Sequence, residues 1–281
     1  MNAENVDNGL SPAGLPPAGV CYGDGGFPAV PTLPPGRVLA WEELRTGGET
    51  VVPEIYFWES AETCVVVGVS QNAEQETFSV RLAADGVTLL RRASGGGVVL
   101  LAPGVLCFAV LAPGCGIISR AAFRESFAAL TAPVREAAER LTGRPGGLRG
   151  VSDLTLEVAG VARKYGGTAQ LCRRKTVLVH GALLASFPPE KMEPYLAYPA
   201  ESPDYRAGRG HRDFCVSLSQ AACGEIPPGR LAGEIARAAA ARGWKTGVVP
   251  ARALASAEVK ALYQRKYARP GWNWRRERGN P

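Results

Sequence analysis

The sequence predicts an α+β domain. Apolar, β-branched runs that read as strands cluster in the middle of the chain, and segments of helical period lie towards both ends. A run of three glycines joins two strands where an alternating α/β fold would open a helix. With 281 residues, 46% hydrophobic and 21% charged, the chain can bury a sizeable core.

Residues 1–36, dense in Pro, Gly and Asn and without periodicity, read as a disordered tail that lacks the basic segment and apolar run of a secretory leader. Residues 37–250 read as the main domain and 251–281 as a C-terminal helix and basic tail. A helix is expected at 38–46, a buried strand at 64–69, and a second strand at 87–90 that runs into the glycine loop. Residues 98–101 and 105–111 read as strands joined across Ala102-Pro103-Gly104. From Arg120 to Leu141, Phe123, Phe127, Leu130, Val134, Ala138 and Leu141 recur at steps of three and four, giving an amphipathic helix that Pro133 must kink or divide. Strands at 154–158 and 177–184 frame the segment 163–170. A loop rich in Arg, Gly and Pro follows at 199–213, then helices near 229–242 and 254–268.

The longest apolar stretch, Val98 to Pro113, contains Pro103 and Gly104 and falls short of the roughly 20 residues a membrane span requires. Seven cysteines, odd in number and without a Cys-x-x-Cys pair, argue against a disulfide framework or a zinc site and suit a reducing cytoplasm. Two histidines, His180 and His211, exclude a histidine-rich metal site. The net charge of +6 can steer the protein towards acidic partners, but no basic stripe interleaved with aromatics supports nucleic-acid binding.

Three features carry chemistry. In Arg91-Arg92-Ala93-Ser94-Gly95-Gly96-Gly97 the glycines let backbone N–H groups approach a ligand and the arginines can neutralise phosphate; a glycine triplet alone is more often a flexible turn. It lacks the spacing of a P-loop. Lys164, before Gly166-Gly167, can stabilise charge on a carboxylate or phosphate oxygen, or can be one more solvated lysine beside Arg163. His180 lies inside an apolar strand, where a hydrogen-bonded core residue is the alternative to a binding role.

Taken together, three blocks resemble the lipoate-protein ligase A family within the biotin and lipoate ligase superfamily: Arg91 to Val99, Ser152-Asp153-Leu154 through Lys164-Tyr165-Gly166-Gly167-Thr168-Ala169-Gln170, and His180-Gly181-Ala182-Leu183-Leu184. Phe57-Trp58-Glu59, Gly68 to Asn72, the loop Pro203 to Arg212 and Trp272-Asn273-Trp274 add to the match, which covers residues 38 to 274.

The resemblance implies a fold like that of class II aminoacyl-tRNA synthetases and biotin synthetase, a mixed, mostly antiparallel sheet flanked by helices. It makes 37–250 the catalytic domain shared by biotin and lipoate ligases. It implies a reaction in two steps, in which ATP and lipoate give lipoyl-adenylate and the lipoyl group then moves to a lysine of a lipoyl domain, such as those of 2-oxoacid dehydrogenase E2 subunits or the glycine cleavage H protein. It assigns the nucleotide and lipoyl-AMP to Arg92, Ser94, Gly95, Gly96, Gly97, Val98, Val99, Leu100, Asp153 and Lys164, and the acyl group to Arg92, Lys164, Gly167, Thr168 and His180. Lys164 becomes the catalytic residue, reaching both acyl carbonyl and phosphate. Asp153 falls in the region of Mg2+ and phosphate, with helix capping or turn formation as the equal alternative.

Some positions depart from the pattern. Leu101-Ala102 stands where many relatives carry His-Asp, Cys107 where they carry Asn, and Ala182 where Thr or Ser usually follows His-Gly. The chain stops soon after Trp274, where several relatives continue into an accessory domain, so a separate accessory protein enters the expectation. The rival reading inside the superfamily is an ATP-independent octanoyl or lipoyl transferase that forms a thioester on cysteine. No cysteine stands in Gly146 to Val151, where one transferase group places it, and Cys172 and Cys215 occupy no recognised position. A non-catalytic lipoyl-binding module is the third reading.

Overall fold

The long central strands carry apolar side chains on both faces, because a sheet covered on both sides must bury every residue of a strand and not alternate ones. The computed structural model describes residues 29–114 and 120–277. Its strands are β1 (Thr32–Leu33), β2 (Glu54–Ser60), β3 (Cys64–Val67), β4 (Thr88–Arg91), β5 (Val99–Leu101), β6 (Val105–Pro113), β7 (Gly146–Arg149), β8 (Asp153–Val158), β9 (Val161–Cys172), β10 (Thr176–Leu184) and β11 (Lys245–Val248). The large sheet runs β1-β2-β6-β10-β9-β8-β7, with β11 sharing the outer edge of β2. Its pairs are antiparallel except those of β1 and β11 with β2. A small sheet, β4-β3-β5, covers part of it. The α+β architecture and the mixed, mostly antiparallel sheet are therefore as expected.

Alternation sorts the strand residues into two layers. Ile55, Phe57, Leu106, Phe108 and Val110 face the helices Arg120–Leu130, Ala132–Thr142 and Pro228–Ala240, meeting Phe127, Leu130, Val134, Leu231 and Ile235. Tyr56, Trp58, Cys107, Ala109 and Leu111 face the other way, against the helix Pro35–Arg45 and the small sheet. Pro133 divides the expected long helix: the break falls at Thr131, whose Oγ1 donates to the Phe127 carbonyl at 2.6 Å, and the second helix carries the proline in its first turn.

Several boundaries differ from expectation. Of the tail read as 1–36, residues 1–28 lie outside the described residues, whereas Thr32–Leu33 add a strand to β2 and the first helix begins at Pro35 instead of residue 38. Ala102-Pro103-Gly104 is no hairpin; it carries the chain from β5 in the small sheet to β6 in the large one. The segment 163–170 is not a connection between strands but the body of β9, hydrogen-bonded on both sides. The helix expected near 254–268 is broken into Ala251–Leu254, Ala257–Leu262 and a π turn at Tyr263–Tyr267, because Ser256 restarts it by accepting from the Val259 N–H. A further short helix, Pro270–Arg275, follows. Among the described residues no helix is long and apolar enough to cross a membrane.

Close packing of β6, β10 and β9 depends on Gly181, where a Cβ would come within 2.7 Å of the Phe108 ring and 2.8 Å of the Gly167 carbonyl oxygen. Gly181→Ala is expected to destabilise the fold by about 1–3 kcal/mol, because backbone and ring must both give way. The check is a urea unfolding curve, whose midpoint falls while its slope is retained.

Candidate functional site

Between the face of the large sheet bearing Trp58, Cys107, His180 and Ala182 and the small sheet lies a cleft of about 640 Å³, part of it open to solvent. Its walls are mostly apolar, with Leu39, Trp58, Val66, Val98, Leu101 and Ala182 prominent, and its polar groups sit in two places. Glu42, His180 and Arg92 form one. Lys164 and Asp153 form the other, further along β9, since His180 pairs with Ala169 and Ala182 with Gly167.

The two arginines of the glycine loop leave the end of β4 in opposite directions. Arg92 is buried, and its guanidinium donates to the Gly95 carbonyl from Nε (3.0 Å) and Nη2 (2.6 Å), to Gly97 from Nη2 (2.8 Å) and to Val66 from Nη1 (3.2 Å). Burial brings its pKa down to about 10, with Glu42 opposing that shift and Arg91 adding to it. Arg92 thus gathers the loop carbonyls inward. Among the described residues, the N–H groups of Gly95, Gly96 and Gly97 have no protein acceptor, and Gly96 and Gly97 are exposed. Arg91, expected to help neutralise phosphate, is 1% exposed, and its donors all go to backbone carbonyls outside the cleft. Val98, Val99 and Gly97 line the cleft, whereas Leu100 is buried in the small sheet and points into the core.

Ser94 and His180 are joined through a buried chain that sequence reasoning only half supplied. The Ser94 hydroxyl meets His180 Nε2 at 2.6 Å, and His180 Nδ1 meets Glu42 Oε2 at 2.6 Å. Glu42 is 3% exposed on the helix Pro35–Arg45. Its signal in the sequence was an acidic residue on the face carrying Val38 and Leu39, legible only once that face is known to be buried. The chain ties helix, β10 and glycine loop together.

Lys164 Nζ lies 2.6 Å from Asp153 Oδ1, and the Tyr205 hydroxyl donates to Asp153 Oδ2 at 2.8 Å. A β-bulge opposite Leu154 and Thr155 leaves Tyr165 as the extra residue: Tyr165 enters the helix-side core, while Lys164 passes over Gly167. The Thr168 hydroxyl donates to the Ser152 carbonyl at 2.9 Å and so secures the start of β8. Tyr205 was missed as a site residue; it lies in the arginine-rich loop, far along the chain from Asp153. Among the described residues no three His, Cys, Asp or Glu groups gather to hold a metal. Asp153 offers one carboxylate, each oxygen retaining a lone pair, which fits an ion that brings phosphate oxygens and water with it.

Cys107 and Cys215 are buried, and burial pushes both thiols up, Cys107 well above the ordinary range. Cys215 bridges to Lys164 through the backbone, and the lysine's charge only partly offsets the burial. Neither thiol is set up as a thiolate nucleophile.

Residues 39–238 match the family model described as the lipoyl protein ligase A/B catalytic domain. A relative from Mycoplasma pneumoniae, named "Probable lipoate-protein ligase A", is 35% identical over 156 residues, 55% of this chain; the chain spans less than half of that relative's length, 42%. "Lipoate-protein ligase A" of Blochmanniella floridana is 30% identical over 142 residues, half of this chain and 39% of its own length. Among solved structures, the bi-partite lipoate protein ligase of Thermoplasma acidophilum superposes with a TM-score of 0.72 at 18% identity, covering 89% of this chain and 97% of that one. A lipoate-protein ligase A bound with ATP superposes at 0.66 with 21% identity, covering 88% and 98%. With the family model covering most of its described residues, the chain belongs to the lipoyl protein ligase A/B catalytic domain family.

Proposed function

We propose that the cleft activates lipoate with ATP to lipoyl-AMP and passes the lipoyl group to a lysine of a lipoyl-domain acceptor protein. The observation that carries this reading is the meeting, at one apolar cleft, of a glycine loop with unpartnered amides and a lysine held by a carboxylate. It is supported by the structural neighbours, one described with bound ATP and one with its E2 lipoyl domain.

In the first step a carboxylate oxygen of lipoate attacks the α-phosphorus of ATP and pyrophosphate leaves. In the second the acceptor ε-amine attacks the acyl carbonyl, loses its proton, and AMP departs. The amides of Gly95 to Gly97 are the groups we assign to phosphate, with Arg92 acting through the loop it shapes and Ser94 anchored by His180. Val98 and Val99 flank the nucleotide, and the acyl chain runs along the cleft past Gly167 and Thr168 towards His180. Lys164 serves both steps, since negative charge grows on the α-phosphate oxygens in the first and on the acyl carbonyl and departing phosphate oxygens in the second. Asp153 and Tyr205 hold that lysine in place. Asp153 would give one ligand to Mg2+, which would supply neutralisation of phosphate charge there. Burial of the Cys107 and Cys215 thiols weighs against the thioester route. Seven cysteines without a close pair favour a cytoplasmic setting.

Purified protein is expected to catalyse exchange of pyrophosphate into ATP only with lipoate present, and to add the mass of a lipoyl group to a lipoyl-domain lysine. Transfer from octanoyl-carrier protein without ATP would overturn the reading. Lys164→Ala is expected to lower both half-reactions by about 10²–10³, the typical cost of losing one oxyanion-stabilising group, with folding little changed. Assay with preformed lipoyl-adenylate separates the halves: a wild-type protein active with the adenylate but not with lipoate and ATP requires a separate accessory protein. Arg92→Lys, which keeps the charge but not the fork that gathers the Gly95 and Gly97 carbonyls, is expected to raise the KM for ATP at least about tenfold, measured by the same exchange assay.

A further inference from the structure

The second buried guanidinium of the glycine-loop motif faces away from the cleft, and it spends its donors on two distant segments. Nη1 of Arg91 donates to the carbonyls of Gly68 (2.8 Å) and Gln71 (2.7 Å). Nε donates to Trp272 (3.0 Å) and Nη2 to Trp274 (3.1 Å). Its backbone completes the join: the Arg91 N–H donates to Asn273 Oδ1 at 3.0 Å, and the Arg91 carbonyl accepts from Trp272 Nε1 at 2.8 Å. Asn273 is itself fixed, its Nδ2 donating to the Tyr267 carbonyl at 2.9 Å. The helix Pro270–Arg275, about 180 positions away in sequence, is thus fastened to the end of β4 by four hydrogen bonds, all through Arg91.

The loop on the far side of Arg91 touches the glycine loop directly. The Val69 N–H donates to the Ser94 carbonyl at 2.9 Å, and Gln71 Oε1 accepts from the Gly68 N–H at 2.8 Å, closing residues 68–71 into a tight turn. The Gly96 carbonyl oxygen packs so closely on Gly68 that a Cβ there would lie 2.1 Å from it. A shift of the 68–71 turn therefore moves Gly96.

We infer that Pro270–Arg275 is a positioning element for the nucleotide half of the site: through Arg91 it sets the 68–71 turn and, through that turn, the conformation in which Gly95, Gly96 and Gly97 present their amides. The inference rests on the reading that these amides bind ATP. Asn273 and Trp272 are its positioning residues; neither lines the cleft. A buried guanidinium must find acceptors, and a turn of free carbonyls is held wherever those acceptors are gathered. The acyl end is built chiefly from the helix Pro35–Arg45, β9 and β10 and meets the glycine loop through the Ser94–His180 hydrogen bond, so the effect falls first on the nucleotide.

The test is steady-state pyrophosphate exchange on full-length wild type, Asn273→Ala, Asn273→Asp and Trp272→Phe, paired with amide hydrogen exchange of the same proteins without ligand. Asn273→Asp keeps the acceptor for the Arg91 N–H while losing the donor to Tyr267, and Trp272→Phe removes one donor while keeping an aromatic ring. Expected for Asn273→Ala is a KM for ATP raised about tenfold, the scale of one lost hydrogen bond in a buried network, with the KM for lipoate within about twofold. Asn273→Asp recovers most of that loss, Trp272→Phe shows a smaller rise of the same kind, and in Asn273→Ala the amides of 68–72 and 94–98 exchange faster. An unchanged KM for ATP in a folded Asn273→Ala, or equal rises in both KM values that track a lowered melting temperature, overturns the inference. Wild-type protein that neither exchanges pyrophosphate nor transfers the lipoyl group from preformed lipoyl-adenylate overturns the proposed function instead, and the hydrogen-exchange rates at 68–72 and 94–98 then still decide whether the segment positions the loop.

Discussion

Two adjacent buried guanidinium groups determine the conformation of the site. A strand sends successive side chains to opposite faces, so Arg91 and Arg92 leave β4 in opposite directions, each into a place that water does not reach. Neither can be neutralised at ordinary pH, so each must be met by acceptors, and apart from Val66 in β3 these are backbone carbonyls of segments with no strand partner of their own. Arg92 collects those of Gly95, Gly97 and Val66, and Arg91 those of Gly68, Gln71, Trp272 and Trp274. Three stretches of chain, 66–71, 95–97 and 272–274, are fastened by two side chains, and the amides of the glycine loop are left without a protein acceptor. The loop is permissive in sequence but not in structure.

The cleft itself follows from the way the two sheets share the chain. Ala102-Pro103-Gly104 carries the chain directly from β5 to β6, so the glycine loop and the face of the large sheet are brought together by a connection of three residues. One wall then comes from alternate residues of β6 and β10 and the other from the small sheet and the first helix. The ionisable groups along the cleft each have a fixed partner: His180 lies between Ser94 and Glu42, and Lys164 is paired with Asp153. Polar groups placed so in an apolar setting act strongly, and they need little rearrangement when charge develops beside them.

What was legible in the sequence and what was not divide along a physical line. The strands β3, β6 and β10 showed as apolar runs, and the glycine loop, Lys164 and His180 stood out because few residues of their kind occur in such surroundings. The helix break at Pro133 was legible because a proline lacks the N–H that an unbroken helix needs. Glu42, Tyr205 and the role of Arg91 were not, since each depends on a partner between 50 and 185 positions away, and local pattern carries no information about that. β9 was misread for a related reason: with Gly166, Gly167 and the charges Arg163 and Lys164, it has neither the apolar run nor the alternation of a strand, and it is one because β8 and β10 on either side satisfy its backbone.

The bulge in β9 shows why such a strand is tolerated. In regular pairing, Lys164 and Gly166 would share one face and Tyr165 the other across a continuous ladder. The extra residue interrupts the ladder opposite Leu154 and Thr155, and Tyr165 is buried while its neighbour Lys164 remains 28% exposed with its charge against Asp153. A lysine aimed by a bulge sits on rigid backbone at both ends, unlike one on a loop, so its position over Gly167 is set by the sheet and by its contact with the Asp153 carboxylate. Held in this way, an ammonium group needs little reorientation to face both a phosphate and an acyl carbonyl, which is what the proposed reaction asks of Lys164.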